Sequence, residues 1–238
     1  MNPRDPSLAL RFERASLCFE GAISEDWALG RDLPSTKWDA RSHCWRAPAH
    51  AYRNLLLALR DQKQSCEDRA RAYDKLSLAF RQPLQPRPHQ AKGLAAWVEG
   101  GRRGVVQLPT GAGKTFLALM AMVQTQRATL VIVPTIDLMH QWSKVIQDQL
   151  GVTVANLGGG SRDIAPITVA TYDSASLHIE RIGTQFGLLI VDECHHLPSP
   201  QYRNIALGAI APFRLGLSAT VERVDGKEED IYDMLGPR

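Results

Sequence analysis

Apolar spacing divides this chain of 238 residues into two regimes. From residue 89 onward, short, mainly apolar runs alternate with stretches of helical spacing. The runs fall at 105–108, 129–133, 152–155, 167–170, 188–191 and 214–217. Helical spacing covers 89–99, 115–124 and 136–150, with Gly100 and Gly151 standing where helices end. A strand that is apolar at every position has no polar face to give to water. Such strands are expected to run parallel in a sheet covered by helices on both sides. The pattern before residue 81 differs. A strand is expected at 16–20, and two strand fragments joined by a turn at 37–39 and 43–46. Residues 1–15 are expected to be loosely ordered, and 21–34 hold turn formers with one aromatic, Trp27. Tyr52, Leu55, Leu56 and Leu59 form one apolar helix face, and a second helix is expected over 67–80. Pro83, Pro86 and Pro88 crowd the stretch between, where repeated proline stops helices and stiffens the chain. The fold class is therefore α/β, with a mostly parallel central sheet over 83–238 and a small α+β domain over 1–82.

Composition changes this picture little. At 44% hydrophobic and 22% charged, the chain can build an ordinary water-exposed globular fold. No stretch is long and apolar enough for a membrane span, and the first residues carry no secretory signal, so an intracellular setting is expected, cytoplasmic or nucleoid-associated if microbial. Cys18, Cys44, Cys66 and Cys194 form no Cys-x-x-Cys pair, which leaves metal binding by spacing unsupported and a reduced state the simpler expectation. Charge is uneven. Residues 1–88 hold 15 Lys/Arg against 11 Asp/Glu, and the remainder 13 against 14. The basic excess favours a polyanion partner only weakly, since a solvated surface accounts for it equally well.

Candidate chemistry concentrates at the predicted strand ends. Leu108-Pro109-Thr110-Gly111-Ala112-Gly113-Lys114-Thr115 joins a strand to a helix, the context of a phosphate-binding loop. Gly111 and Gly113 let the backbone turn its N–H groups inward, beside Ala112. Lys114 is expected to reach the β and γ phosphates, and the Thr115 hydroxyl to ligate Mg²⁺. Leu108 stands where the general pattern has glycine. Asp192 and Glu193 follow the 188–191 run directly. Asp192 is expected to hold Mg²⁺, and Glu193 to orient the attacking water and take its proton. In sheets of this kind ligands lie beyond the carboxyl ends of the strands.

The neighbouring candidates follow from chemistry and position. His195 is expected to link the nucleotide site to Ser218 and Thr220 at the next strand end. Cys194-His195-His196 lacks the further ligands a zinc site needs. Gln90 offers both a donor and an acceptor, the set that pairs with an adenine edge, and Arg87 could lie against base or phosphate. Pro134, Thr135, Gly159, Arg162, Thr171 and Tyr172 follow strand ends with groups suited to a nucleic-acid backbone, or serve simply as turns. Trp142 is expected in the core. In the N-terminal part, Arg41, Trp45 and Arg46 are candidates for contact with a polyanion, with core packing the alternative for Trp45.

Taken together, the 108–115 loop, Val133-Pro134-Thr135, Asp192-Glu193-Cys194-His195 and Ser218-Ala219-Thr220 resemble the first, RecA-like motor domain of a superfamily 2 helicase. Arg87-Pro88-His89-Gln90, Thr171-Tyr172 and the double histidine narrow the resemblance to XPB-type DNA helicases. Trp38-Asp39-Ala40-Arg41 and Trp45-Arg46-Ala47-Pro48-Ala49 are similar to the small domain ahead of that motor, associated with damaged or distorted DNA. The resemblance implies ATP and Mg²⁺ as cofactors and DNA as partner. It also implies a second RecA-like domain, in a longer parent chain or a separate one, and allows a nuclease or repair partner. In that family an Arg-Glu-Asp element follows the Ser/Thr-Ala-Thr motif; here Arg223-Val224-Asp225 lacks its central acid. No second set of motor motifs precedes Arg238, so these residues alone are expected to turn over ATP weakly. The competing class is a DNA-binding or nucleotide-switch module without movement, which need not retain Glu193. A metabolic kinase is a further alternative, without an evident lid or acceptor pocket.

Overall fold

The computed structural model describes residues 8–21, 33–83, 85–219 and 228–237. Trp27, Thr220 and the Arg223-Val224-Asp225 element lie outside the described residues, as do the first seven.

The small sheet begins with β1 (Ala9–Glu13) and β2 (Ser16–Glu20), an antiparallel hairpin turning through Arg14 and Ala15. β3 (Lys37–Asp39) and β4 (Cys44–Pro48) form a second hairpin, whose β4 pairs with β2. A single 3-10 turn then leads into α1 (Tyr52–Asp61). β5 (Glu67–Asp68) closes the sheet parallel to β1, giving the order β3-β4-β2-β1-β5. Along β2, side chains alternate between faces. Leu17 and Phe19 point into the core with Leu10 and Trp45, and α1 covers them with Tyr52, Leu55 and Leu59. Leu56 of the expected face is only half-buried.

The larger sheet follows α2 (Pro88–Glu99), whose first turn Pro88 pre-sets. Its elements are β6 (Arg103–Gln107), α3 (Lys114–Thr125), β7 (Thr129–Val133), α4 (Ile136–Leu150), β8 (Ala155–Gly158), β9 (Ser161–Arg162), β10 (Ile167–Thr171), α5 (Tyr172–Ile182), β11 (Leu188–Asp192), α6 (Arg203–Leu207), β12 (Phe213–Ser218) and α7 (Glu228–Leu235). Strand order is β6-β12-β11-β7-β10-β8-β9, parallel apart from β9. Both faces are covered, as the unbroken apolar runs require. Leu130, Ile132 and Val191 meet α5, α6 and α7 on one side. Val131, Val133 and Ile190 meet Leu117 of α3 and Trp142 and Ile146 of α4 on the other. Each large aliphatic side chain buried in this way is worth roughly 1.5–3 kcal/mol.

Four expectations are corrected. Residues 67–80 form no second helix. After β5 the chain runs extended across the larger domain, where its N–H groups find partners outside the segment. Leu76 N–H donates to the Gln126 carbonyl at 3.0 Å, Leu78 N–H to Gln126 Oε1 at 2.6 Å, and Arg81 N–H to the Gln149 carbonyl at 2.8 Å. Leu76, Leu78 and Phe80 alternate toward the core, a period of two rather than 3.6. The early segment holds an ordered strand, β1. β8 begins at Ala155, where the expected strand ended. β9, α5 and α6 are additions.

Candidate active site

The parallel register sets the site. Ser218 at the end of β12 lies beside Gln107 at the end of β6, and Asp192 at the end of β11 lies beside Leu217. Three strand ends thus open toward one loop, the connection from β6 to α3. Gly111 and Gly113 in that loop adopt φ of 80° and 85°, which β-carbon sterics disfavour for other residues. A side chain on Gly113 would also collide with the Gln90 amide. Leu108 N–H donates to the Ser218 carbonyl at 3.0 Å, and Gln107 Nε2 to the Ala219 carbonyl at 3.2 Å, fastening the loop to β12.

Lys114 opens α3 and places Nζ 3.2 Å from Glu193 Oε1. Glu193 itself sits in the left-handed region at φ 48°, a bend that carries the chain off β11 into a short turn over Cys194–His196. Its second carboxylate oxygen lies 3.4 Å from Ser218 Oγ, which donates to it, and 3.4 Å from His195 Nδ1. His195 Nδ1 and Ser218 Oγ are 3.1 Å apart. Lys114, Glu193, His195 and Ser218 therefore form one polar cluster. Thr115 follows in the first turn of α3.

Asp192 is 8% exposed. Burial raises its carboxyl above the ordinary aspartate value, and the neighbouring Glu193 charge adds to this. Two donors oppose the shift: Trp142 Nε1–H reaches Oδ2 at 3.0 Å, and Glu193 N–H reaches Oδ1 at 3.1 Å. Trp142 is in the core, as expected, but its bond to Asp192 is new. An indole N–H on the buried face of α4 must find an acceptor, and that requirement is the only hint the residues carried. Cys194 is buried in the apolar core, and burial pushes its thiol up to about 12. Among the described residues no group of three or more His, Cys, Asp or Glu side chains is arranged to hold a metal ion.

Gln90 is buried against the 108–115 loop. Its Nε2 donates to the carbonyls of Ala112 and Gly113 at 3.1 and 3.2 Å, while Oε1 accepts from Arg87 N–H at 2.9 Å. His89 Nε2 lies 2.9 Å from the Ala112 carbonyl. Arg87 is exposed.

A second group converges on the same sheet edge. Thr135 and Thr171 cap α4 and α5, each hydroxyl accepting from a backbone N–H in the first turn. Their strands, β7 and β10, are neighbours in register. Gly159 abuts Ile136 of α4, and Pro134, Gly159 and Arg162 are accessible along this edge. Tyr172 is not on the surface. It is buried, and its hydroxyl donates to the Asp192 carbonyl at 2.9 Å, with the Glu193 carbonyl at 3.2 Å. On the small sheet, Trp45 is 6% exposed within the core, which favours packing over base stacking. Arg46 is held by Glu13 at 2.7 Å and Asp39 at 3.0 Å, while the Arg41 side chain is 98% exposed.

Fold and site together define the first RecA-like motor domain of a superfamily 2 helicase, preceded by a small sheet domain. The family described as "Type III restriction enzyme, res subunit" matches residues 83–223, and that described as "Xeroderma pigmentosum group B helicase damage recognition domain" matches residues 10–70. The chain belongs to this family, within its XPB-type branch. It is 40% identical over 220 residues to the "DNA 3'-5' translocase XPB2" of Sulfurisphaera tokodaii, covering 92% of this chain and 48% of that protein. It is 34% identical over 165 residues to the "DNA 3'-5' helicase XPB" of Mycobacterium tuberculosis, covering 65% of this chain and 30% of that one. The chain thus spans half or less of the length of these relatives. The UvsW helicase of bacteriophage T4 shares the fold, with a TM-score of 0.58 at 16% identity over 97% of this chain and 98% of that one.

Proposed function

We propose that this site binds and hydrolyses ATP with Mg²⁺ and couples hydrolysis to movement along DNA. One observation carries the reading: Lys114 and Glu193, from segments 79 residues apart, meet at 3.2 Å beside the glycine loop. Here the ammonium group is neutralised by a carboxylate. A triphosphate entering the loop takes over that role and releases Glu193 for a water molecule. Backbone amides of Gly111, Ala112 and Gly113 receive phosphate oxygens, with the dipole of α3 behind them. Thr115 and Asp192 offer hard oxygen ligands of the kind Mg²⁺ prefers. The bound ion supplies charge neutralisation at the phosphates. Glu193 orients water and accepts its proton, and the retention of that carboxylate against Lys114 favours hydrolysis over a passive nucleotide switch. His195 and Ser218 share the Glu193 carboxylate and so register what occupies the site; Thr220 completes this reading. Arg87, which is exposed, is the candidate for the base, while the Gln90 amide is already taken up by Ala112, Gly113 and the Arg87 N–H and acts on the nucleotide only through the loop it braces.

The edge formed by Pro134, Thr135, Gly159, Arg162 and the Thr171-Tyr172 backbone is the DNA track. Arg41 and Arg46 mark a second contact on the small sheet, ahead of the 76–81 segment that packs on the motor. The "damage recognition" wording of the matched family supports a preference for distorted DNA in that part. A second RecA-like domain, in the same polypeptide or another, supplies the opposite wall of the nucleotide site; the greater length of the relatives supports this.

ATP turnover tests the reading. Loss of an arginine supplied from outside slows comparable hydrolases by about 10³–10⁵. Residues 1–238 alone are expected to hydrolyse slowly, to accelerate on addition of the second domain and DNA, and to lose the accelerated rate in Glu193→Gln. Robust DNA-stimulated turnover by the monomeric 238-residue chain contradicts the two-wall site, and full turnover in Glu193→Gln contradicts the role of that acid.

A further inference from the structure

Cys18 and Cys44 lie together on the small sheet, although 26 positions separate them. β2 and β4 pair antiparallel with Cys18 opposite Arg46, so Cys44 is its diagonal neighbour on the same face. That face is the outer one, since Leu17 and Phe19 take the inner. The two sulfur atoms are 2.7 Å apart, and neither is bonded in a disulfide. Above them lies a lattice of charged side chains: Arg46 pairs with Glu13 and Asp39, and Arg11 with Glu20 at 2.6 Å. The thiols nevertheless border a pocket of about 380 Å³ that also reaches Arg11, Ser42, His43 and Arg46. Two thiols in contact, both bordering a pocket, can close into a disulfide once a small oxidant enters.

We propose that Cys18 and Cys44 form a reversible disulfide that staples the β3–β4 hairpin to β2. The step is thiol–disulfide exchange with a low-molecular-weight disulfide, R–S–S–R. Cys44, the less buried of the two residues, gives up its proton and attacks one sulfur of the reagent; the S–S bond breaks and one R–S⁻ leaves, taking up a proton. Cys18 then loses its proton and attacks the Cys44 sulfur, expelling the second R–S⁻. Two protein thiols are oxidised and one reagent disulfide is reduced to two R–SH. Burial pushes the Cys18 thiol up to about 12, so closure is slow at neutral pH and quickens as pH rises. The bond closes the interval between β2 and β4 directly beneath Arg46. Two ligands cannot complete a tetrahedral zinc site, so oxidation, rather than metal capture, suits this pair.

The test uses the full chain carrying Cys66→Ala, incubated in native buffer with hydroxyethyl disulfide and analysed by intact mass and peptide mapping. The expected product is lighter by about 2 Da, carries a Cys18–Cys44 crosslink, returns to the starting mass with reductant, and melts about 5 °C higher. Cys18→Ser and Cys44→Ser, checked for folding by circular dichroism, must each abolish the crosslink. A stable mixed disulfide on Cys44 without ring closure overturns the proposal. So does an unreactive native chain whose two thiols react only after unfolding.

Discussion

Replacing Trp142 by phenylalanine probes the least expected contact in the site. The indole is 2% exposed and donates to Asp192 Oδ2 at 3.0 Å, so both partners are shielded from water. A hydrogen bond to a charged group contributes about 1.5–3 kcal/mol. At 1.4 kcal/mol per decade, its loss corresponds to roughly ten- to hundredfold in any equilibrium that needs an ionised, oriented Asp192. Loss of partners behind a metal ligand costs a similar factor, about 10–100-fold in metal affinity. The sign for pH is also set. The bond opposes the burial that raises Asp192, so without it the carboxyl rises further and stays protonated to higher pH. Titrating Mg²⁺ into a mixture of protein and fluorescent ATP analogue measures this. Trp142→Phe is expected to need about 10–100-fold more Mg²⁺, to shift the onset of Mg²⁺ dependence toward higher pH, and to bind nucleotide without Mg²⁺ nearly as the parent does. An unchanged Mg²⁺ requirement in a variant that merely melts earlier refutes the reasoning and leaves Trp142 a packing residue.

Other substitutions test separate parts of the molecule. Arg214 is wholly buried and donates to four carbonyls, those of Ala206, Ala209, Ala211 and Met234, at 2.7–3.1 Å. Arg214→Met orphans these acceptors at about 1–3 kcal/mol each, partly offset by removing a buried charge, so denaturant unfolding is expected to show a net loss of about 2–4 kcal/mol. Gly113→Ala forces a left-handed backbone on alanine and drives a β-carbon into Gln90, so nucleotide affinity measured by calorimetry is expected to fall at least about tenfold. Glu13 is held below the ordinary carboxylate value by its bond to Arg46, and Asp39 by Ser42, the Arg41 amide and Arg46. Depressed acids stabilise the fold above their unfolded values, and that contribution is lost as pH falls through the folded ones. Stability of the small sheet, followed by thermal melts at successive pH values, is therefore expected to drop on acidification below the usual carboxylate range, and less steeply in Arg46→Met.

Much of the larger domain was legible because β7 and β11 are nearly unbroken apolar runs. β7 and α4 match their expected limits, and β11 and β12 extend theirs by one or two residues. α5 escaped notice because Leu177, in its middle, is 78% exposed and blurs the apolar face made by Ala175, Ile179 and Ile182. β1 was hidden by Arg11 and Glu13, whose charges belong to the outer face of a sheet. The 67–80 segment misled because its hydrogen-bond partners, Gln126 and Thr184, lie far along the chain. The same distance explains the site. Lys114, Asp192 and Glu193 each sit in a local strand-end motif and could be found from it. The Trp142–Asp192 bond spans 50 positions, and the Tyr172 hydroxyl reaches Asp192 across a neighbouring strand; local spacing encodes neither.

Equilibrium binding of a non-hydrolysable ATP analogue shows whether Lys114 and Asp192 serve one Mg²⁺·nucleotide site. The parent chain is expected to bind the analogue with Mg²⁺, Lys114→Ala to bind about a hundredfold more weakly, and Asp192→Asn to lose the contribution of Mg²⁺. Equal affinity in the parent and both folded variants would place the nucleotide elsewhere and contradict the account.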